Sequence, residues 1–106
     1  MNSAQYSPAD LLRELVSIRS FSGEESARAD HLTDFFKKKG IMAERLGNNL
    51  ILRNQKQGVL NQTLMLNSHL DTVQPAAGYS FDPFSPPYSD SHIYGLGSND
   101  AGASVV

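Results

Sequence analysis

A histidine and an aspartate stand two positions apart where a short apolar run ends, in the stretch LMLNSHLDTV (64–73). If the chain is extended there, the side chains of His69 and Asp71 point to the same face with their Cα atoms about 6.6 Å apart, close enough for the carboxylate to orient the imidazole. Metal sites use such a carboxylate to fix the tautomer of a ligating histidine. The alternative is that both residues are polar only because a strand meets solvent here.

A second acidic residue lies in the glycine-rich stretch YGLGSNDAGAS (94–104). Gly95 and Gly97 match the start of a G-x-G-x-x-G dinucleotide-binding loop, but Asp100 takes the place of the third glycine. Because a carboxylate at that position would repel a pyrophosphate, the stretch favours a cation over a nucleotide. Asp100 is therefore a candidate metal ligand on a loop whose glycines permit unusual backbone conformations.

Two amphipathic helices are predicted ahead of these stretches. The first should begin after Ser7 as its N-cap, with Pro8 in its first turn. Its buried face consists of Leu11, Leu12, Leu15 and Val16. The second should open at a capping box of Ser22 and Glu25 and close at Gly40. Its buried stripe consists of Leu32, Phe35 and Phe36.

Three strands are predicted after the helices. Two of them, 41–45 and 50–53, flank the turn residues GNN, and a polar connection at 55–62 leads to the third, 64–66. The third is a continuous apolar run, which is typical of an interior strand covered on both faces. The order of two helices followed by strands indicates an α/β domain, and in such sheets ligands bind beyond the carboxyl ends of central strands, where His69 lies.

Composition narrows the possible functions. The chain has 106 residues, a formal net charge of -2 and no cysteine. With no excess of basic residues, the sequence predicts binding to neither nucleic acid nor an anionic membrane. The lack of cysteine rules out disulfides and thiolate metal sites within these residues, and it fits a reducing compartment. Since the first ten residues are polar rather than signal-like, we expect a cytoplasmic protein.

The stretches NSHLDTV and FDPFSPPYSDSHIYGLGSNDAGAS together resemble the N-terminal part of the catalytic domain of the M20 metallopeptidase family. This family includes acetylornithine deacetylase, succinyl-diaminopimelate desuccinylase, aminoacylase and carboxypeptidase G2. Its pattern is His-x-Asp at a strand end, an Asp-Pro-Phe loop and Gly-x-Gly-x-x-Asp, and all three occur here in order. Many members carry Gly-Arg-Gly and Asp-Met-Lys-Gly where this chain has GLG and DAGA, a variation similar to relatives of acetylornithine deacetylase.

The resemblance implies a layered α/β/α zinc-hydrolase catalytic domain, of which residues 1–106 would be the N-terminal portion. It implies amide hydrolysis at a two-zinc centre, with His69 as a ligand of one zinc, Asp71 as the carboxylate that orients it and Asp100 as the bridge between the metals. It also implies a cis peptide bond just after Asp100. The general base, the other ligands and a dimerisation domain lie downstream in the family.

The substrate implied is an N-acyl amino acid, as for acetylornithine deacetylase, or a small peptide. We expect residues 1–106 alone to be inactive, to bind zinc weakly or not at all, and to self-associate through uncovered apolar surface. His31 is expected to be solvated and His92 to be structural. Two alternatives stay open, a non-catalytic α/β binding or scaffold module and a degenerate family member that keeps the fold without the chemistry.

Overall fold

The computed structural model describes residues 7–54 and 62–106. These residues form helices α1 and α2, a hairpin of strands β1 and β2, an irregular turn of π type and a short helix α3. In chain order their bounds are Pro8–Val16, Ser26–Lys38, Glu44–Leu46, Asn49–Ile51, Ser98–Gly102 and Ala103–Val105. Most of the connection predicted at 55–62 falls outside the described residues.

Helix α1 confirms the predicted cap and buried face. The Ser7 hydroxyl accepts a hydrogen bond from the main-chain N–H of Asp10 at 3.2 Å, and Pro8 occupies the first helical position. The four apolar residues predicted to face inward are all buried. Leu11 and Leu15 form the core with Leu32 of α2. The partly buried residues packed against this core are Phe35, Phe36, Leu50, Leu70, Val105 and Val106.

The start of α2 differs from the prediction, because Ser22 does not cap it. The helix begins at Ser26, after Glu25, and no side chain caps its first turn. The Glu25 carboxylate accepts instead from the N–H of Gly23 at 2.8 Å, and the Ser22 hydroxyl donates to Asp71 at 2.6 Å. Gly23, which the capping box would make the first helical residue, has φ +86°, so α2 cannot begin there.

The end of α2 follows the sequence prediction closely. Gly40 has φ +75° and donates its N–H to the carbonyl of Lys37, while Ile41 donates to the carbonyl of Phe36. This pair of hydrogen bonds is the Schellman motif, which needs a left-handed residue at the glycine position. The chain thereby turns into the hairpin, where Leu46 faces Asn49 across a two-residue turn that begins with Gly47. The first two predicted strands are thus confirmed with shifted bounds.

The prediction of an interior strand at 64–66 is wrong. Leu64, Met65 and Leu66 are 85%, 77% and 88% exposed and belong to no strand. An interior strand needs a neighbour along each edge and cover on both faces. Within the described ranges the sheet consists of β1 and β2, and neither pairs with this segment. The fold is therefore mixed α/β, while the layered α/β/α domain stays a prediction.

None of the helices within 7–54 and 62–106 has the length and apolar character that crossing a bilayer requires.

The exposed run at 64–66 leads us to expect concentration-dependent self-association. Apolar side chains that are exposed on a segment without a strand partner favour pairing with another chain, and a charge placed there opposes it. Leu66→Lys should lower the weight-average mass measured by light scattering at high concentration. Met42→Lys is the matched control, since Met42 is 80% exposed but lies outside the run. A monomeric parent chain, or an equal effect of both substitutions, would contradict this expectation.

Candidate metal centre

Three of the residues singled out in the sequence meet at one place. The Nε2 atom of His69 lies 3.0 Å from Oδ1 of Asp100, and its Nδ1 atom lies 3.1 Å from Oδ1 of Asp71. The imidazole thus stands between two carboxylates, one of them 31 positions away in the sequence. The predicted proximity of these side chains is confirmed, and we call them the His69 cluster.

Hydrogen bonds from the helical half of the chain fix the segment that carries His69 and Asp71. The N–H of Thr72 donates to the carbonyl of Ser20 at 2.7 Å, within an isolated parallel bridge between Phe21 and Thr72. Arg28 on α2 donates to the carbonyl of Leu70 at 3.0 Å. Since Leu70 and Thr72 flank Asp71, the main chain is held on both sides of this carboxylate.

Arg28 is the residue that the sequence predictions missed. It is 4% exposed, and its guanidinium also donates to the carbonyl of Ile18, just beyond α1, at 2.8 Å. Burial lowers the pKa of the Arg28 guanidinium. The signal was present in the sequence, because Arg28 stands four positions before Leu32 and eight before Phe36, and so lies on the stripe predicted to be buried.

A close approach of the glycine-rich loop brings Asp100 to the cluster. Gly97 has φ +79°, and a Cβ atom there would lie 2.5 Å from the Cγ2 atom of Thr72. The loop then turns back, with the N–H of Gly102 donating to the carbonyl of Gly97 at 2.9 Å. Asp100 and Ala101 depart from helical geometry, and the peptide bond between them is cis, as the family resemblance implies.

The electrostatics of the cluster favour a charged imidazole. Desolvation lowers the pKa of His69, but the hydrogen bonds to the Asp71 carbonyl and the Asp100 carboxylate, together with the attraction of both charges, outweigh it and raise the pKa. This contribution to folding is present below the unfolded pKa and is lost as the pH rises through the folded one. The Ser22 hydroxyl is the first cause of the lowered pKa of Asp71, to which the charge of His69 adds.

The donor atoms of the cluster fit part of a zinc site. Two tetrahedral zinc ligands at about 2.1 Å from the metal are about 3.4 Å apart, so His69 Nε2 and Asp100 Oδ1 need only a small movement to share a metal ion. Asp71 faces the other ring nitrogen and is placed to orient the imidazole. Over 7–54 and 62–106, no group of three or more His, Cys, Asp and Glu is arranged to hold a metal.

The other two histidines lie outside the cluster. His31 was expected to be solvated, but its Nε2 atom lies 2.8 Å from a Glu14 carboxylate oxygen, so it links α2 to α1. Its place on the helix face turned away from the Phe35 and Phe36 stripe did not reveal this contact, which depends on how the two helices pack. His92 stacks on Tyr94 with ring centroids 5.7 Å apart and bonds to Ser91, in agreement with the structural role predicted for it.

The chain has curated relatives that match it over most of its length. The chain is 30% identical over 103 residues to succinyl-diaminopimelate desuccinylase of Wolbachia pipientis wMel, a match covering 93% of the chain and 26% of that protein. It is 34% identical over 103 residues to a peptidase M20 domain-containing protein of Schizosaccharomyces pombe, covering 91% of the chain and 24% of that protein. The chain is a homologue of M20-family proteins.

A third relative of this M20 homologue is a probable carboxypeptidase of Emericella nidulans, 34% identical over 106 residues, with 91% of the chain and 24% of that protein covered. No protein-family model matches the chain. The chain spans about a quarter of the length of the curated relatives it matches. These relatives are named as a desuccinylase, a peptidase domain-containing protein and a carboxypeptidase. The metal-binding roles of His69 and Asp100 stay predictions.

Removing the Asp100 charge should lower the pKa of His69. In Asp100→Asn the imidazole loses an ionic partner, so NMR titration of its ring protons should give a lower pKa than in the parent chain. Asp90→Asn is the control, because Asp90 is also exposed and its side chain makes no contact with the cluster in the described residues. An unchanged pKa in Asp100→Asn would show that the two side chains do not meet in solution.

Gly97→Ala should destabilise the fold by roughly 1 to 3 kcal/mol, because it combines a left-handed backbone with a steric clash. Gly78→Ala isolates the backbone part, since Gly78 has φ +96° and a Cβ atom placed there would meet no other atom within 4 Å. Urea unfolding followed by circular dichroism measures both. Equal losses in the two variants would mean that the loop does not approach Thr72 closely.

Proposed function

We propose that this chain carries part of the catalytic centre of an M20-type, zinc-dependent amide hydrolase. His69 and Asp100 are the metal ligands, and Asp71 is the catalytic-centre carboxylate that orients His69. The observation that supports this most strongly is the His69 ring itself, whose Nδ1 faces one carboxylate while its Nε2 lies 3.0 Å from another. A histidine with a purely structural role does not need a carboxylate at each ring nitrogen. A metal-ligating histidine does need a partner that orients the ring from the nitrogen opposite the metal.

The chain's residues have distinct tasks in this proposal. To ligate, His69 must present a bare Nε2 atom, and donation from Nδ1–H to Asp71 selects the tautomer that does so. Asp100 is 85% exposed at its side chain, so its oxygens are accessible to more than one cation. Bound zinc would supply polarisation of the scissile carbonyl and a water acidic enough to give hydroxide near neutral pH.

The cluster does not complete a catalytic zinc site by itself. Such a site takes about three protein ligands and two zincs need more, whereas the cluster offers one imidazole and one carboxylate besides the orienting Asp71. We therefore place the remaining ligands and the general base outside residues 1–106, which would be the N-terminal portion of the catalytic domain. In keeping with this, the curated relatives are about four times as long as the chain.

The substrate class we propose is an N-acyl amino acid or a small peptide. The names of the relatives, a desuccinylase and a carboxypeptidase, support an amide next to an amino-acid carboxylate. The GLG and DAGA variation keeps an acetylornithine-like substrate as the first to test. The lack of cysteine supports the cytoplasm as the compartment.

Zinc binding to residues 1–106 should be weak and should depend on His69. Affinity should fall as the pH drops through the raised pKa of His69, because a proton then competes with the metal for Nε2. Isothermal titration should show the binding lost in His69→Ala and kept in His92→Ala. Zinc binding that survives His69→Ala would favour the non-catalytic module.

The same preparations should not hydrolyse acetylornithine. Turnover that disappears in His69→Ala would contradict the placement of the other catalytic groups outside residues 1–106.

A further inference from the structure

We propose that Ser22 is a positioning residue of the metal centre, which holds the Asp71 carboxylate so that this carboxylate holds His69. The inference rests on the proposed function and assigns a task to a side chain outside the ligand set. The Ser22 hydroxyl donates to Oδ2 of Asp71 at 2.6 Å, and the other oxygen of the same carboxylate, Oδ1, lies 3.1 Å from His69 Nδ1.

The two contacts engage opposite oxygens of one carboxylate. A carboxylate with one partner can rotate about the bond to its Cβ atom, since this torsion is broad for aspartate. With a hydroxyl on Oδ2 and an imidazole on Oδ1, the plane of the group is fixed. The O–H to carboxylate distance of 2.6 Å is in the range of charge-assisted hydrogen bonds, which are about twice as strong as neutral ones.

Ser22 is itself held in place by its neighbours. The two residues before Ser22 contact the segment that carries Asp71. Ser20 accepts a hydrogen bond from the N–H of Thr72, and Phe21 forms a parallel bridge with Thr72. The Phe21 ring also packs edge-on against Phe84 of the Asp-Pro-Phe loop, with centroids 6.1 Å apart. Beyond Ser22, the N–H of Glu24 donates to the carbonyl of Phe21 and closes a turn. The hydroxyl is therefore presented to Asp71 by main chain fixed on both sides.

Ser22 lies outside the cap of α2 and points toward the candidate metal centre. A cap would hold the serine against its own helix, whereas its observed partner is 49 positions away. The turn from Phe21 to Glu24 directs the hydroxyl toward Asp71. The segment ahead of α2 thus contacts the candidate metal centre through Ser22.

The hydrogen-bonded Nδ1 proton of His69 reports the positioning directly, with no metal present. In the parent chain this proton should give a distinct downfield NMR signal, because it lies between two oxygens of Asp71, the main-chain carbonyl and Oδ1 of the carboxylate, each 3.1 Å from Nδ1. Ser22→Ala should move the signal upfield, because the carboxylate is then free to rotate away while the main-chain carbonyl of Asp71 still accepts. Ser22→Thr, which keeps a hydroxyl, should restore the parent position. Ser17→Ala is the matched control, since the Ser17 hydroxyl also donates at 2.6 Å but to the carbonyl of Glu14 in α1.

Zinc titration is the second readout. Ser22→Ala should weaken zinc binding by about 3- to 10-fold, less than the 10- to 100-fold typical of a residue that touches a ligand directly. The urea midpoint of Ser22→Ala should match that of Ser17→Ala. The weaker zinc binding then does not result from a less stable fold. An unchanged Nδ1 signal in Ser22→Ala would overturn the inference. If zinc bound the parent chain without His69, the proposed function would fail, and the NMR comparison would still decide the role of Ser22.

Discussion

A buried guanidinium joins the helical half of this chain to the segment that carries the candidate site. Arg28 donates to the carbonyl of Ile18 beyond α1 and to the carbonyl of Leu70 between His69 and Asp71. Burying a charge is costly unless its donors find acceptors, and arginine does not escape the cost by losing its proton. Because Nη2 of Arg28 is buried without a hydrogen-bond partner among the described residues, these two carbonyls are the acceptors that offset the cost. The two carbonyls must therefore stay where they are, which fixes the distance between the helices and the His69 cluster.

Besides the Arg28 hydrogen bonds, the candidate site depends on main-chain contacts and on a row of polar side chains that contact one another. The hydrogen bond from Thr72 to Ser20 sets the register of the segment that carries His69 and Asp71. Because Gly97 has no side chain, the glycine-rich loop comes close enough to Thr72 to place Asp100 beside His69. From Ser22 through Asp71 and His69 to Asp100, each polar side chain then contacts the next. Substituting any of these side chains should therefore change the environment of the His69 imidazole, since Asp71 contacts one of its nitrogens and Asp100 the other.

The features that could be predicted from the sequence are those fixed by neighbours in the chain. The cap of α1 at Ser7 and the glycine end of α2 at Gly40 depend on residues within five positions, and both were predicted correctly. The proximity of His69, Asp71 and Asp100 followed from strand-end placement and family resemblance. The capping box failed because the Ser22 hydroxyl points to Asp71, far along the sequence, and Gly23 has φ +86°, which keeps α2 from starting there.

The interior strand at 64–66 failed for a related reason. Apolar composition indicates that a segment can be buried, but burial also needs partners, and the described residues provide no strand to pair with it. Arg28 was missed because a charge on a helix is ordinarily assigned to the surface, even where the helical period places it inward. In each case the deciding contact joins residues that are distant in sequence.

Cobalt substitution followed by proton NMR tests most directly whether His69 is a metal ligand with Asp71 on its other nitrogen. When cobalt binds through Nε2, the Nδ1 proton of His69 should appear as an exchangeable, strongly shifted signal that is absent in His69→Ala. Loss of the cobalt signals in Asp100→Asn would place both ligands on one metal ion. Shifted signals that persist in His69→Ala, arising from His31 or His92, would contradict the account.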